Sequence, residues 1–356
     1  MQYRILLFTA VIISICLQSC TDIMCIISGY KPSEIKNSCQ TPEPGTELSE
    51  RCNLITKYVE NFSVNPDSVY QSKKKYLEVI KPRNRFIADK EITTPTHNIP
   101  LRIYCDVPAK QREKLPVLVF YHGGGFVWGS IEVFDRICRK IAKETGTVLV
   151  AVDYRLAPEH PFPAALSDSY SALEWVAEYI EDYGGDPHKI IVMGESAGGN
   201  LAAVMPLMSR DSCGPDISAQ IIICGVTTFE ESLYPSRKYF LTDNKAYLIS
   251  EDYMRRCKNS YLPDTVSVTH PYVSPLTAEF DSLMPPAMVI TAECDPLRDE
   301  GREYAMRMKN EGMDVLYREY EGMIHAFMNF HPFLEESRQA IKDVGSFIDS
   351  LYRQEI

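Results

Sequence analysis

Lys189-Ile190-Ile191-Val192-Met193-Gly194-Glu195-Ser196-Ala197-Gly198-Gly199-Asn200-Leu201-Ala202-Ala203-Val204 reads as a buried strand, a turn too tight for side chains, and a helix of small residues. Its centre fits G-x-S-x-G, a strand-to-helix corner that lifts a serine hydroxyl out of a sheet. Gly194 and Gly198 remove the Cβ atoms that would collide there, and the helix that follows directs its positive end at the serine. Upstream, Val117–Tyr121 reads as a second central strand that runs into His122-Gly123-Gly124-Gly125-Phe126. Glycines at the carboxyl end of such a strand occupy the place where open α/β sheets put their ligands. Chance alone produces G-x-S-x-G fairly often, whereas a run of three glycines after a histidine is rarer. The two in this order point to nucleophilic serine chemistry.

That chemistry needs a nucleophile, a base, and donors where an oxygen becomes negative. Ser196 is the candidate nucleophile. The donors are the N–H of Ala197, just after the nucleophile, and those of Gly124 and Gly125, in a loop of His122, Gly123, Gly124 and Gly125 that completes the oxyanion hole. The expected chain order is serine, acid, histidine. Of seven histidines, only His270, His325 and His331 follow Ser196. His331 precedes Pro332, which suits a helix entry, and His270 precedes the best acid candidate. His325 follows an apolar run and the break Glu321-Gly322, so it is the expected base. Asp295 stands just after the strand-like Pro286–Ala292 and before Pro296, the position for an acid that holds the imidazole tautomer. Glu293 and Asp299 are its rivals.

These motifs resemble the hormone-sensitive-lipase-like esterases, a branch of the α/β-hydrolase fold. The likeness spans roughly residues 80–350 and includes the run 153–165 (Asp153-Tyr154-Arg155 to Ala164-Ala165), Asp295-Pro296-Leu297-Arg298-Asp299, and Gly322-Met323-Ile324-His325-Ala326-Phe327. The 153–165 run has no chemical role derivable from its residues; it is expected to pack beneath the oxyanion loop, with His160 structural. The resemblance implies a carboxylic-ester hydrolase that works without a cofactor, through an acyl-serine, on short to medium acyl esters. Relatives often carry Asp before the nucleophile where this chain has Glu195. Relatives that became hormone receptors lack the histidine, whereas all three triad positions are filled here. An amidase with the same triad, a non-catalytic binding protein on this fold and an interfacial lipase are the alternatives.

The expected architecture is α/β, a mostly parallel central sheet with helices on both faces and a helical cap. At 356 residues and 45% apolar content, the chain can bury one large core and a small accessory region. Short apolar runs near 116–121, 147–153, 189–194, 220–225, 286–292 and 314–320 alternate with helical stretches near 132–145, 164–183, 198–209 and 296–311. Ile99–Tyr104 reads as an edge-side strand. Residues 91–356 form the catalytic domain, with a cap insertion at about 231–272, and 20–90 form an N-terminal segment and part of the cap. Relatives imply that these segments cover the serine, so Tyr234, Tyr239 and Phe240 are candidate pocket residues, with Phe126 and Glu195 beside the motifs.

A net charge of −11 and no basic patch argue against nucleic acid as a partner. No Cys or His pair has zinc-like spacing with a second pair, so no metal is expected. Arg4, the apolar Ile5–Leu17 and Gln18-Ser19-Cys20 describe a secretory signal over 1–19, with a lipobox-like site at which Cys20 would be acylated and would attach the protein to a membrane. A spanning anchor is the rival, though the apolar run is shorter than the ~20 residues that cross a bilayer. The protein is therefore expected to be exported: periplasmic or lipid-anchored to the envelope in a bacterium, in the secretory pathway otherwise. Export would let Cys39 and Cys52 pair. Cys224 reads as a buried free thiol, and Asn61-Phe62-Ser63 as a glycosylation sequon in a eukaryotic host.

Overall fold

The computed structural model describes residues 86–108, 111–112, 114–230, 234–242 and 248–352. The leader, Cys20, the Cys39/Cys52 pair, Asn61 and the segment before Phe86 lie outside the described residues.

The sheet is built on residues whose side chains are buried on both faces. In β3 (Leu115–Tyr121), Val117, Val119 and Tyr121 enter one hydrophobic cluster, while Leu118 and Phe120 enter the other. This is the period-2 consequence of a pleated strand between two helical layers. Among the described residues, eight strands follow the order β1-β2-β4-β3-β5-β6-β7-β8. They are β1 (Phe86–Thr93), β2 (Asn98–Cys105), β3, β4 (Val148–Val152), β5 (Gly185–Glu195), β6 (Ala219–Ile223), β7 (Ala287–Cys294) and β8 (Val315–Ile324). The β1–β2 and β2–β4 pairs are antiparallel and the rest are parallel.

On one face lie α2 (Ala164–Tyr179), α3 (Ala197–Ser212) and α6 (Arg298–Asn310); on the other lie α1 (Ile131–Thr145) and α7 (Glu335–Tyr352). α1 illustrates how local sequence sets an element. The Ser130 side chain caps it by accepting from the Val133 N–H, Ile131, Phe134, Ile137 and Ile141 form its buried stripe, and Gly146 at φ 66° ends it. Two further helices, α4 (Pro235–Thr242) and α5 (Glu251–Tyr261), lie between β6 and β7, where the cap insertion was expected. The helical reading of 164–183 divides at Tyr179, beyond which Ile180–Tyr183 tightens into a 3-10 turn.

Two expectations change. Ile99–Tyr104 is not at the sheet edge, because β1 pairs outside it over Phe86–Thr93. β1 also begins within the stretch assigned to the N-terminal segment; Asp89, Lys90 and Glu91 are exposed on this edge strand, which masks its periodicity. α7 closes the second face and was not anticipated.

The 153–165 run has a structural role. The Tyr154 hydroxyl donates to the His122 carbonyl at 2.6 Å, and the Ala157 N–H donates to the Phe126 carbonyl at 2.8 Å. Arg155 holds the buried Asp168 through its backbone N–H (3.0 Å), Nε (2.9 Å) and Nη2 (2.8 Å), and His97 Nε2 lies 2.8 Å from the same carboxylate. His160 is exposed. Burial opposes the Asp168 charge, but the Arg155 and His97 hydrogen bonds outweigh it and hold the carboxyl below its ordinary value. Asp168→Asn is expected to lower stability at pH 7 by about 2–3 kcal/mol. With a depressed folded-state value, this stabilisation is present above the unfolded value near ~3.9 and is lost as pH falls through the folded one. The gap between the two melting curves should therefore narrow as pH is lowered below the unfolded value. A constant gap would contradict this account.

Candidate active site

Three strand ends converge. β5 delivers Ser196, β7 delivers Asp295 and β8 delivers His325. Ser196 sits at φ 57°, ψ −117° between β5 and α3, a backbone conformation that few side-chain-bearing residues adopt. A Cβ on Gly194 would overlap the Gly198 carbonyl, and one on Gly198 would overlap the Tyr121 carbonyl, so this corner requires both glycines. His325 Nε2 lies 2.9 Å from Ser196 Oγ, and His325 Nδ1 lies 2.8 Å from Asp295 Oδ2. The other Asp295 oxygen accepts the Leu297 N–H at 2.8 Å. Burial disfavours the His325 cation, but the Asp295 carboxylate outweighs it and raises the imidazole above its ordinary value.

The rival residues are engaged elsewhere. Glu293 accepts the Gly322 N–H at 2.7 Å, and Asp299 accepts the Ser236 N–H at 2.8 Å. His270 packs edge-on against Phe162 and Tyr272. His331 is buried beyond the site, and burial pushes it down to about 4.

The glycine loop lies against the serine, since a Cβ on Gly123 would stand 3.3 Å from Ser196 Cβ. Gly124 (φ 122°), Gly125 (φ 63°) and Phe126 (φ 64°) all occupy the left-handed half of backbone space. The loop is closed by the Val127 and Trp128 N–H groups, which donate to the Gly124 carbonyl at 3.1 and 3.0 Å. The His122 ring stacks on Tyr154 at 4.2 Å and 14°, with Nδ1 2.8 Å from the Gly123 carbonyl. His122 thus supports the loop from below. Ala197 opens α3 directly after the serine.

Gly125 and Ser196 face a mostly apolar cavity, walled by Phe126, Phe229, Tyr253 and Cys257 among others. Phe126 is one of the residues lining it. Glu195 is not in the cavity wall; it is buried under the corner, where Asn329 Nδ2 donates to both its oxygens at 2.9 and 2.7 Å. Burial pushes its carboxyl up to about 7. The structure also takes Tyr234, Tyr239 and Phe240 out of the pocket. Tyr239 is 47% exposed, Phe240 enters the second core cluster beneath Arg298, and Tyr234 packs half-buried on the first. For Tyr239 the cause is how α4 docks. Arg237 turns toward the cavity, which places position 239 about 200° around the helix.

That docking is polar. Ser236 Oγ donates to the Pro296 carbonyl at 2.9 Å, and Arg237 Nε donates to the fully buried Glu300 at 2.7 Å. Glu300 also accepts the Thr227 N–H at 2.9 Å. The cap is thereby joined to the segment that carries Asp295.

Among the described residues, the cluster with metal-ligand donors is Cys224, Asp295 and His325, whose donor atoms lie within 4.8 Å of one another. Burial, then the Asp295 and Glu195 charges, push the Cys224 thiol well above its ordinary value. A protonated thiol is a poor metal ligand, and the donor set suits a proton relay better.

A family model described as the α/β-hydrolase fold matches residues 118–329. The chain belongs to this family, in its hormone-sensitive-lipase-like esterase branch. Among relatives of this hydrolase, the carboxylesterase NlhH of Mycobacterium tuberculosis is 39% identical over 237 residues, 65% of this chain and 72% of the relative. An arylesterase of Saccharolobus solfataricus is 34% identical over 74% of this chain and 83% of its own length. In structure, a hyperthermophilic esterase from the archaeon Pyrobaculum calidifontis superposes with a TM-score of 0.78 at 36% identity, covering 86% of this chain and 99% of its own. No helix among the described residues is long and apolar enough to cross a membrane.

Proposed function

We propose that this hydrolase cleaves carboxylic esters of short to medium acyl chains through an acyl-serine intermediate. The observation that carries the reading is the Ser196–His325–Asp295 relay opening onto an apolar cavity. With the Nδ1 proton directed at Asp295, Nε2 is left as an acceptor for the Ser196 hydroxyl proton. Ser196 Oγ then bonds to the ester carbon while His325 takes that proton. The carbonyl oxygen becomes negative within reach of the Gly124, Gly125 and Ala197 N–H groups. Collapse breaks the bond to the alcohol, which leaves with the proton held on His325. Water, deprotonated by His325, repeats the attack on the acyl-serine, and the carboxylic acid and Ser196 hydroxyl are released.

Asp295 stays ionised throughout and stabilises the imidazolium. Apolar walls favour a hydrocarbon acyl chain. Nitrophenyl esters from acetate to palmitate test the reading. Turnover is expected to peak at short to medium chains and to fall at palmitate. Faster cleavage of the matching anilides, or a rate that rises steadily to palmitate, would overturn it.

A further inference from the structure

The three glycines of the oxyanion loop meet three different parts of the molecule. A Cβ on Gly123 would stand against Ser196, and one on Gly124 would overlap the Trp128 carbonyl of the same loop. On Gly125 it would overlap Cys257 Sγ and stand 3.0 Å from Cys257 Cβ and 3.4 Å from Tyr253 Oη, both on helix α5 of the insertion. The next residue meets the same helix. The Phe126 ring lies on the Tyr261 ring, with centroids 3.8 Å apart and planes 5° from parallel.

Residues 253, 257 and 261 are spaced four apart, so they share one face of α5. The body fixes that face at its far end. The Phe162 N–H donates to the Tyr261 carbonyl at 2.8 Å, and the Phe162 ring meets Tyr261 edge-on at 5.9 Å. Gly125 and Phe126 both have left-handed backbones, at φ 63° and 64°. For Phe126, which carries a side chain, that conformation persists only where its surroundings hold it. Its carbonyl is held by the body through the Ala157 N–H, and its ring is held by the cap through Tyr261.

We propose that α5 is part of the oxyanion machinery: Cys257 and Tyr261 are positioning residues that fix the backbone of Gly125 and Phe126, and through it the Gly124 and Gly125 N–H groups. This rests on the ester-hydrolysing site assigned above. One face of the helix then serves two ends. Tyr253 and Cys257 shape the cavity wall, while Cys257 and Tyr261 hold the loop that meets the developing charge. Donors aimed at an oxyanion act only where they are already in place, so a loop that loses this backing loses rate before it loses binding.

Tyr261 is the cleaner probe, because it is not among the residues lining the cavity. Its hydroxyl is buried and makes no hydrogen bond among the described residues, so Tyr261→Phe keeps the stack and Tyr261→Leu removes it. The test uses the full chain and nitrophenyl butyrate. Tyr261→Leu should lower kcat about tenfold, part of the loss that an ångström of misplacement causes, with KM within about twofold. Tyr261→Phe should return kcat to within about twofold of wild type. The deciding measurement places Tyr261→Leu on Gly124→Ala. There the donor geometry is already lost, so leucine should cost less than about twofold. Near-ultraviolet circular dichroism identifies a variant that fails to fold. Cys257→Ala, which withdraws the sulfur from Gly125, then replaces Tyr261→Leu in the same cycle, with the same loss expected alone and on Gly124→Ala.

Unchanged kcat in Tyr261→Leu, a phenylalanine variant as slow as leucine, or a loss that recurs in full on Gly124→Ala would each overturn the proposal. Wild-type protein that cleaves no ester would instead overturn the esterase reading.

Discussion

Ser196→Ala protein is expected to fold as wild type and to lose about 10⁵- to 10⁶-fold in kcat on nitrophenyl butyrate. The fold survives because the backbone, not the hydroxyl, holds the corner. The Ser196 N–H donates to the Ile223 carbonyl at 2.9 Å, and its carbonyl accepts the Asn200 and Val226 N–H groups, each at 3.1 Å. Alanine keeps all three bonds and the same Cβ. What is lost is the oxygen 2.9 Å from His325 Nε2, and with it the acyl intermediate. Residual rate then comes from the oxyanion donors and binding acting on water. Kinetics with a matched melting curve check both halves. Activity above about 1% of wild type would exclude Ser196 as the nucleophile.

Gly124→Ala is expected to lower kcat by about 10²- to 10³-fold, the loss typical of one oxyanion donor. It should also cost about 1–3 kcal/mol of stability. Gly124 has φ 122°, and a Cβ there would overlap the Trp128 backbone carbonyl, which cannot rotate away as a side chain could. The loop must shift, carrying the neighbouring N–H groups off the developing oxyanion. Gly146→Ala separates strain from chemistry. Gly146 is also left-handed, at φ 66°, but nothing lies within 4 Å of its added Cβ. It should cost about 1–2 kcal/mol and leave kcat unchanged. Equal kcat losses in the two variants would mean that general destabilisation, rather than the oxyanion loop, sets the rate.

The parts of this molecule legible in its sequence are those in which function constrains a few consecutive residues. The corner at Gly194–Gly198 and the loop at His122–Phe126 need glycine for steric reasons that hold in any surroundings. Strand ends are then ordered by the sheet, so chain order removes His270, and the setting after a strand separates His325 from His331, which precedes Pro332. β1 was hidden because an edge strand can carry Asp89, Lys90 and Glu91 outward. The cap residues were misread for a different reason. Aromatic content marks Tyr234, Tyr239 and Phe240 as buried-surface formers, but which face of α4 meets the cavity depends on how Ser236 and Arg237 dock onto residues some sixty positions away. Asn329 was equally invisible as a partner of Glu195, since the fold alone brings these distant positions together.

The Arg237–Glu300 pair has a consequence for how this scaffold diversifies. Glu300 belongs to the catalytic body and is fully buried, yet its counter-charge is supplied by the insertion. A cap exchanged for one without a cation at that place would leave the carboxylate unpaired in the interior, at about 3–5 kcal/mol. The insertion could therefore be refitted in length and lining without stranding a charge in the body, provided that Arg237 and Glu300 are kept or changed together.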